Sequence, residues 1–248
     1  MGGPRLSVNV NKVATLRNSR GGTIPSVIDA VRVCIAAGAP GITVHPRADE
    51  RHVTRADVHD IAGFLAPRRD QIEFNIEGDP RPDLLEMVRQ VRPHQCTLVP
   101  VRPGEITSQA GWPPETPTET LTSVVADLRS RRIRVSLFID PEPDAVAWAA
   151  SLGADRVELY TEPFAHAFAA GRADAERSFG RYAAAAAAAH AAGLGVNAGH
   201  DLDLQNLVLF RTLPHLDEVS IGHALVSHAL FVGLHRAVRD YLNACRTD

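Results

Sequence analysis

Acid/base and anion-binding side chains follow short apolar runs of this sequence. The run "ITV" is followed at once by His45, Arg47 and His52, and Glu77 follows the segment "FNI". A turn needs only residues such as Gly, Pro, Asn or Asp, so these side chains exceed what chain reversal requires. An imidazole exchanges protons near neutral pH, and burial raises the pKa of a carboxyl group towards the same range. The pattern therefore predicts general acid and base catalysis beside an anion-binding group.

A second pattern suggests phosphate binding. In "SIGHAL" a strand ends, Gly222 permits close backbone approach, and a helix is expected to begin near His223. Free N–H groups at a helix N-terminus bind phosphate, and Arg20 and Arg47 are candidate partners of a second anion. Lys12 is the one Lys among 26 basic residues in a chain otherwise biased to Arg, so we interpret it as functional.

Alternating strand and helix patterns must position these groups. Apolar runs with β-branched residues predict eight strands, and amphipathic stretches between them predict helices. The predicted strands are 6–10, 41–44, 71–76, 96–99, 135–139, 156–159, 195–197 and 218–221. The predicted helices are 26–37, 55–65, 82–91, 119–130, 144–151, 173–192, 204–212 and 224–243.

Eight βα units predict an α/β fold, a (β/α)8 TIM barrel with extra helices. The main alternative, an open doubly wound sheet, usually has a glycine-rich phosphate turn after its first strand, and "VNVNKVATLRN" has none. No linker divides the chain, so a single domain is expected over residues 1–248, with 111–120 as a loop insertion. Catalytic groups of such barrels lie at the carboxyl ends of the strands, where all the residues named above are expected.

Composition excludes several classes of partner. The formal net charge of −3 gives no overall electrostatic reason to bind nucleic acid or an anionic membrane. The three cysteines have no metal or disulfide spacing, and no apolar run reaches the length of a membrane span. We therefore expect reduced thiols and a cytoplasmic protein without nucleic-acid or membrane partners.

A metal centre is the rival interpretation of the imidazoles. Barrel ligands come from different strands and leave no spacing signature, so spacing does not exclude one. The HxH motif or Asp pair frequent in hydrolase metal sites is missing, and we expect no metal. The rival ligand set would be His45, His52, Glu77, His200 and His223.

Ordered motifs along nearly the whole chain resemble those of the pyridoxine 5′-phosphate synthase family, which closes the ring in deoxyxylulose-5-phosphate-dependent vitamin B6 synthesis. They are "SVNVNKVATLRNSRGG", "GITVHPRADERHVTRADV", "FNIEG", "LVPVRPGEITSQAGW", "VSLFID", "VNAGHDL" and "VSIGHALVSHAL". The resemblance implies a (β/α)8 barrel that assembles into a homo-octamer and uses neither a metal nor an organic cofactor. Its small-molecule partners would be two phosphorylated substrates.

The resemblance also implies residue roles. His45 and Glu77 match catalytic acid/base residues, Glu158 matches a carboxylate that stabilises a transition state, and His200 matches a proton donor. Asn9 and Arg20 match contacts to 3-amino-2-oxopropyl phosphate. Contacts to 1-deoxy-D-xylulose 5-phosphate match Arg47, His52 and Thr107, Asp201 stands at a substrate-contact position, and the phosphate-binding pair matches Gly222 and His223.

Two departures from the widespread family pattern concern substrate binding. Asn11 and Lys12 stand where an Asp-His pair is usual, and Asp201 replaces the Gly that usually follows the proton-donor His. We interpret these as a sub-branch in which the Lys12 ammonium replaces an imidazole as a cationic donor to the sugar phosphate.

Two alternative functions remain open at this point. One is a sugar-phosphate epimerase or aldolase on the same barrel, in which Lys12 would form a Schiff base. The other is a non-catalytic sensor of phosphorylated ligands, which would bind both substrates without releasing phosphate.

Overall fold

The structure is a computed structural model that describes residues 2–101 and 108–247. Eight parallel strands form a closed barrel in which each strand pairs with its neighbours in chain order and β8 pairs with β1. The strands are β1 (Arg5–Asn9), β2 (Gly41–Val44), β3 (Glu73–Gly78), β4 (Gln95–Leu98), β5 (Arg134–Ile139), β6 (Arg156–Tyr160), β7 (Gly195–Gly199) and β8 (Leu216–Ile221). The predicted (β/α)8 barrel is confirmed.

Helices surround the barrel. In the described residues, two of them lie in the β1–β2 connection, two in the β6–β7 connection and two after β8. The helices are α1 (Asn11–Asn18), α2 (Val27–Ala36), α3 (Arg55–Leu65), α4 (Pro82–Val91), α5 (Glu119–Ser130), α6 (Pro143–Ser151), α7 (Glu162–Ala170), α8 (Arg172–Ala191), α9 (Leu207–Phe210), α10 (His223–Val232) and α11 (Leu234–Cys245). The additional helices are the extra elements that the sequence predicts around the barrel.

Two faces of each strand have opposite chemistry. The apolar face packs outward against the helices and includes Leu6, Ile42 and Val219, each fully buried. The inward face is mostly polar, and its side chains bond to one another across neighbouring strands. Ser7 Oγ lies 2.7 Å from Thr43 Oγ1, and Thr97 Oγ1 donates to Asn75 Oδ1 at 3.1 Å. Because barrels of this fold usually fill their interior with branched apolar residues, this interior is unusually polar.

The base of the barrel holds a charged group. Glu73 is buried, and it accepts hydrogen bonds from Arg5 at 3.1 Å and from Arg134. Glu218 is also buried, and burial followed by repulsion from Glu73 raises its pKa to about 8. These carboxyl groups lie at the amino end of the strands, away from the site described below.

Several predicted element bounds are wrong. The predicted helix 224–243 is two helices, α10 and α11, because Gly233 interrupts it with φ +83°, a left-handed conformation that favours glycine. The predicted helix 204–212 contains only the short α9, and α1 and α7 are absent from the prediction. β3 extends to Gly78, so Glu77 lies inside the strand rather than after it.

Among the described residues, no helix is both long enough and apolar enough to cross a membrane.

Candidate active site

A cavity of about 310 Å³ opens at the carboxyl ends of the barrel strands. All the predicted site residues line it except Arg20, which is exposed elsewhere, and Thr107, which lies outside the described residues. Seventeen described residues form the wall: Asn9, Asn11, Lys12, His45, Arg47, His52, Glu77, Val99, Ser108, Phe138, Glu158, Glu162, His200, Asp201, Ser220, Gly222 and His223.

His45 and Glu77 form the central pair of this cavity. Nδ1 of His45 lies 3.8 Å from Oε2 of Glu77, and both side chains are buried. Burial, and then the nearby Arg47, lower the pKa of His45 well below its ordinary value. Burial, and then the charge of Glu158, raise the pKa of Glu77 well above its ordinary value. These shifts favour a neutral imidazole, able to accept a proton, beside a protonated carboxyl, able to donate one.

The Nε2 atom of His45 is a buried polar atom of the cavity wall. It is buried and has no hydrogen-bond partner among the described residues. An unpaired polar atom inside a protein costs free energy unless a ligand or water satisfies it. Together with the wall position of His45, this leaves a proton-accepting atom available to a bound substrate.

Glu158 is the second buried carboxyl of the site. Burial raises its pKa to about 7, and a hydrogen bond from Thr97 opposes the rise. The strand β7 gives it room, because a Cβ atom at Gly199 would collide with the Glu158 carboxylate. The site thus contains two buried carboxyl groups whose charges repel, so they resist being ionised together.

A cationic group lies on the β1 and β2 side of the cavity. Lys12 and the buried Arg47 both line it next to His52. Burial, then Arg47, then Lys12 lower the pKa of His52 to about 4, so this imidazole is neutral at pH 7. Two cationic side chains and a neutral imidazole suit a phosphate group, which accepts several hydrogen bonds.

Two asparagines hold the backbone at the carboxyl ends of β1 and β2. Asn9 Oδ1 accepts from the Asn11 backbone N–H at 3.0 Å, and Asn11 Oδ1 accepts from the His45 backbone N–H at 2.9 Å. Asn11 therefore holds the backbone of the residue that carries the central imidazole. This contact is a structural role for Asn11, in addition to its predicted role in substrate binding.

The C-terminal end of α1 is joined to the segment that carries His52. Asn18 Nδ2 donates to the carbonyl oxygens of Glu50 at 3.1 Å and His52 at 2.8 Å. Arg17 makes a two-pronged ion pair with Asp57, at 2.5 and 2.8 Å, and Asp57 belongs to the capping box at the start of α3. We refer to these contacts of Arg17 and Asn18 as the α1–α3 clamp.

His200 and Asp201 follow β7 in left-handed backbone conformations. Their φ angles are +86° and +58°, which are uncommon for residues other than Gly. Asp201 Oδ2 lies 2.8 Å from His200 Nδ1, and the His200 ring contacts the Tyr160 ring edge-on at 5.2 Å between centroids. The hydrogen bond from His200 lowers the pKa of Asp201 despite its partial burial.

Gly222 and His223 lie at the junction of β8 and α10. A Cβ atom at Gly222 would lie 3.1 Å from both the Cβ and the carbonyl oxygen of Asn9, so only Gly fits without displacing β1. α10 begins at His223, and both residues line the cavity. The N-terminus of a ten-residue helix therefore faces the cavity, where its free N–H groups can bind an anion.

Five wall residues are absent from the sequence prediction: Val99, Ser108, Phe138, Glu162 and Ser220. Ser220, which donates a hydrogen bond to Glu77, lies on the inward face of β8. Because side chains alternate between the two faces of a strand, its position two residues before Gly222 could have predicted that it faces the same side. Val99 and Phe138 gave no such signal, because apolar residues at a strand end are indistinguishable from core residues.

One group of potential metal ligands occurs among the described residues. Ligand atoms of Glu162, His200 and Asp201 lie within 4.8 Å of one another. This group differs from the rival ligand set that the sequence suggested, because the two sets have only His200 in common. Exposed acidic groups such as this are common without a metal, so the grouping alone does not assign one.

Comparisons with known proteins identify relatives of this chain. A pyridoxine 5′-phosphate synthase of Bacteroides fragilis (strain YCH46) is 50% identical over 98% of this chain and 99% of its own length. Another from Xanthomonas oryzae pv. oryzae is 51% identical over 98% of this chain and 96% of its own length. Among solved structures, a 3-keto-L-gulonate-6-phosphate decarboxylase from Vibrio cholerae has a TM-score of 0.63 at 11% identity, covering 99% and 100% of the two chains, and supports the fold alone.

The model of the family described as pyridoxal phosphate biosynthesis protein PdxJ matches residues 6–247. That match includes all eight strands except the first residue of β1, together with every described residue that lines the cavity. The chain therefore belongs to the PdxJ family.

Proposed function

We propose that this cavity makes pyridoxine 5′-phosphate from 3-amino-2-oxopropyl phosphate and 1-deoxy-D-xylulose 5-phosphate by general acid and base catalysis, releasing phosphate and water. The observation that carries the proposal is the His45–Glu77 pair, 3.8 Å apart, buried, and with pKa values displaced in opposite directions. The family match and the full-length similarity to curated pyridoxine 5′-phosphate synthases support the same activity.

The two substrates would occupy different sides of the cavity. Asn9 and the Gly222–His223 helix start lie together on β1 and β8, so we assign the aminooxopropyl phosphate to that side. Lys12, Arg47 and His52 supply cations and a neutral donor on β1 and β2, so we assign the sugar phosphate to them.

Each stage of the reaction moves protons. The substrate amine condenses with the sugar ketone, phosphate and water leave, and an aldol-type closure aromatises the ring. His45, whose lowered pKa favours the neutral imidazole, suits proton removal. Glu77, whose raised pKa favours the protonated carboxyl, suits donation to a leaving group, and His200 adds a third proton-transfer group at the rim. Each positioned acid or base contributes roughly 10²–10⁴-fold to a rate. We assign Glu158 to stabilising positive charge that develops in the transition state.

The decisive experiment is incubation of the purified protein with both substrates. Pyridoxine 5′-phosphate and an equal amount of inorganic phosphate are expected, detected by mass spectrometry and by a phosphate assay. Binding of both substrates without phosphate release would instead support a ligand sensor.

Two further measurements distinguish the enzymatic alternatives. Borohydride is expected to trap no adduct on Lys12, because the substrate supplies its own amine, and a trapped adduct would favour an aldolase. Dialysis against a chelator is expected to leave turnover unchanged. Loss of turnover that returns with a divalent metal would favour a centre at Glu162, His200 and Asp201.

We further propose that the chain assembles into a homo-octamer, as the family resemblance implies. Exposed apolar residues near the end of α10 support an interface, since Leu230 is 71% and Phe231 88% exposed. Arg20 does not line the cavity of its own chain, so its predicted substrate contact requires a moved loop or a neighbouring chain. Light scattering tests the octamer, and a monomer that turns over normally would contradict it.

We also propose a cytoplasmic location. Cys34, Cys96 and Cys245 are all buried free thiols, which favours a reducing compartment. Fractionation of cells that express the native protein tests this proposal.

A further inference from the structure

Two apolar side chains form one side of an otherwise polar cavity. Val99, directly after β4, and Phe138, on β5, both line it and are only 3% and 4% exposed. Apart from Gly222, the other described residues of the cavity wall all carry polar or charged side chains. We call Val99 and Phe138 the apolar wall.

The apolar wall is firmly supported from behind. Val99, Phe138 and Tyr160 form a small apolar cluster that is separate from the main core. The rings of Phe138 and Tyr160 lie 5.4 Å apart between centroids, and Tyr160 in turn contacts His200. Because Tyr160 does not line the cavity, it acts as a backing that limits movement of the Phe138 ring.

The cavity is chemically polarised by this arrangement. Lys12, Arg47 and His52 lie on the β1 and β2 side, whereas the apolar wall lies on the β4 and β5 side. In a closed eight-stranded barrel, β5 is diametrically opposite β1. A ligand that spans the mouth would therefore need an anionic end and an apolar end.

We propose that the apolar wall is the subsite for the methyl group of 1-deoxy-D-xylulose 5-phosphate and that it selects this sugar over D-xylulose 5-phosphate. The inference rests on the proposed function. The sugar carries its phosphate on C5 and its methyl group on C1, at opposite ends of the carbon chain. That methyl group is the one apolar group in either substrate, as the wall is the one apolar surface of the described cavity.

The physical basis of selection is desolvation. A methyl group against Val99 and Phe138 leaves water for an apolar surface, which is favourable. The hydroxyl that D-xylulose 5-phosphate carries on C1 would lose its hydrogen bonds to water and find no partner on the wall. Pockets of this kind discriminate against an added hydroxyl by about a hundredfold.

The test measures, by calorimetry and without the amine substrate, the affinity of the purified protein in its native assembly for each of the two sugar phosphates. Wild-type protein is expected to prefer 1-deoxy-D-xylulose 5-phosphate by about tenfold to a hundredfold. Val99→Thr keeps the side-chain shape and adds a hydroxyl partner, so it is expected to reduce that preference at least about fivefold. The matched control Val208→Thr, at a site 54% exposed on α9, should keep the wild-type preference.

Two results would overturn the methyl subsite. One is equal affinity of wild-type protein for the two sugars, a measurement that needs no variant. The other is an unchanged preference in Val99→Thr protein whose circular dichroism matches wild type. Turnover with both substrates is measured alongside. Selective binding without formation of pyridoxine 5′-phosphate would support the methyl subsite and refute the synthase function. Product formation without selective binding would support the synthase function and refute the methyl subsite.

Discussion

The carboxylate of Asp201 accepts a hydrogen bond from the imidazole of His200, with 2.8 Å between Oδ2 and Nδ1. The bond sets the tautomer and the orientation of the His200 ring. Both residues hold left-handed backbone conformations, and Thr161 donates to the carbonyl oxygens of Gly199 and His200. Such backbone strain persists only where surrounding contacts enforce it, and it concentrates at functional sites. Asp201 is therefore in position to orient the imidazole.

Removing the Asp201 charge should impair proton transfer more than binding. We expect Asp201→Asn to lower kcat by about tenfold or more while KM for both substrates changes less. The loss should be smaller than the ~10⁴-fold found when a fully buried dyad is broken, because the Asp201 side chain is 37% exposed. Asp201→Glu should recover part of the activity. A change confined to KM would indicate a substrate contact without an orienting role.

The His45–Glu77 pair should govern the pH dependence of kcat/KM. Activity is expected to fall at low pH as His45 gains a proton, at a pH well below the ordinary imidazole value because its pKa is lowered. It should also fall at high pH as Glu77 loses its proton, at a pH above the ordinary carboxyl value. Glu77→Gln should fold normally, lose at least about 10²-fold in rate, and lose the Glu77 contribution to the high-pH limb.

His45→Ala provides the companion measurement for this pair. It should also remain folded and lose turnover, with the low-pH limb altered. Rates close to wild type in either variant would contradict the assignment of these residues as the central acid and base.

Lys12 should act through its charge. We expect Lys12→Arg to retain more activity than Lys12→Ala, and the loss in Lys12→Ala to appear mainly as a raised KM for 1-deoxy-D-xylulose 5-phosphate. Steady-state kinetics with each substrate varied in turn would measure this. Equal losses for the two substrates would indicate that Lys12 does not belong to the sugar-phosphate side of the cavity.

Glu218 should make the stability of the protein depend on pH. Its folded pKa is about 8 against an ordinary value of 4.5, so the folded state holds this proton more tightly than the unfolded state. The stabilisation is complete below pH 4.5 and is lost as pH rises through about 8. Each unit of pKa shift corresponds to about 1.4 kcal/mol, so a loss of a few kcal/mol is expected between these limits.

Urea denaturation at pH 5 and pH 8 would test the Glu218 contribution. Glu218→Gln should make the free energy of unfolding decrease less between pH 5 and pH 8. The exposed Glu115→Gln control should show the same decrease as wild-type protein. Because Glu158 also has a raised pKa, part of the decrease should remain. An unchanged slope in Glu218→Gln would show that the proton is not held at Glu218.

Some elements of the fold and the site could be predicted from the sequence and others could not, for physical reasons. Strand and helix periods are local properties, and they predicted the barrel and most of its elements. The break at Gly233 was missed because apolar residues continue the helical pattern on both sides of it. The apolar wall was missed because a buried Phe at a strand end has the same pattern whether it faces a helix or a ligand.

Polar residues at strand ends were more informative. His45, Glu77 and His200 stand where water or a partner must satisfy them, and the fold brings all three to one cavity. Arg20 lies beyond α1 in an exposed turn, where local pattern does not determine which surface it reaches.

The α1–α3 clamp bears on the spacing of the cations in the cavity. Asn18 is bonded to the carbonyl oxygen of His52, and Arg17 is paired with the first turn of α3. The segment that begins at Lys12 and the loop that carries Arg47 and His52 are thus fastened to each other at their outer ends. A displacement of one would carry the other, so Lys12, Arg47 and His52 are held at a fixed mutual spacing.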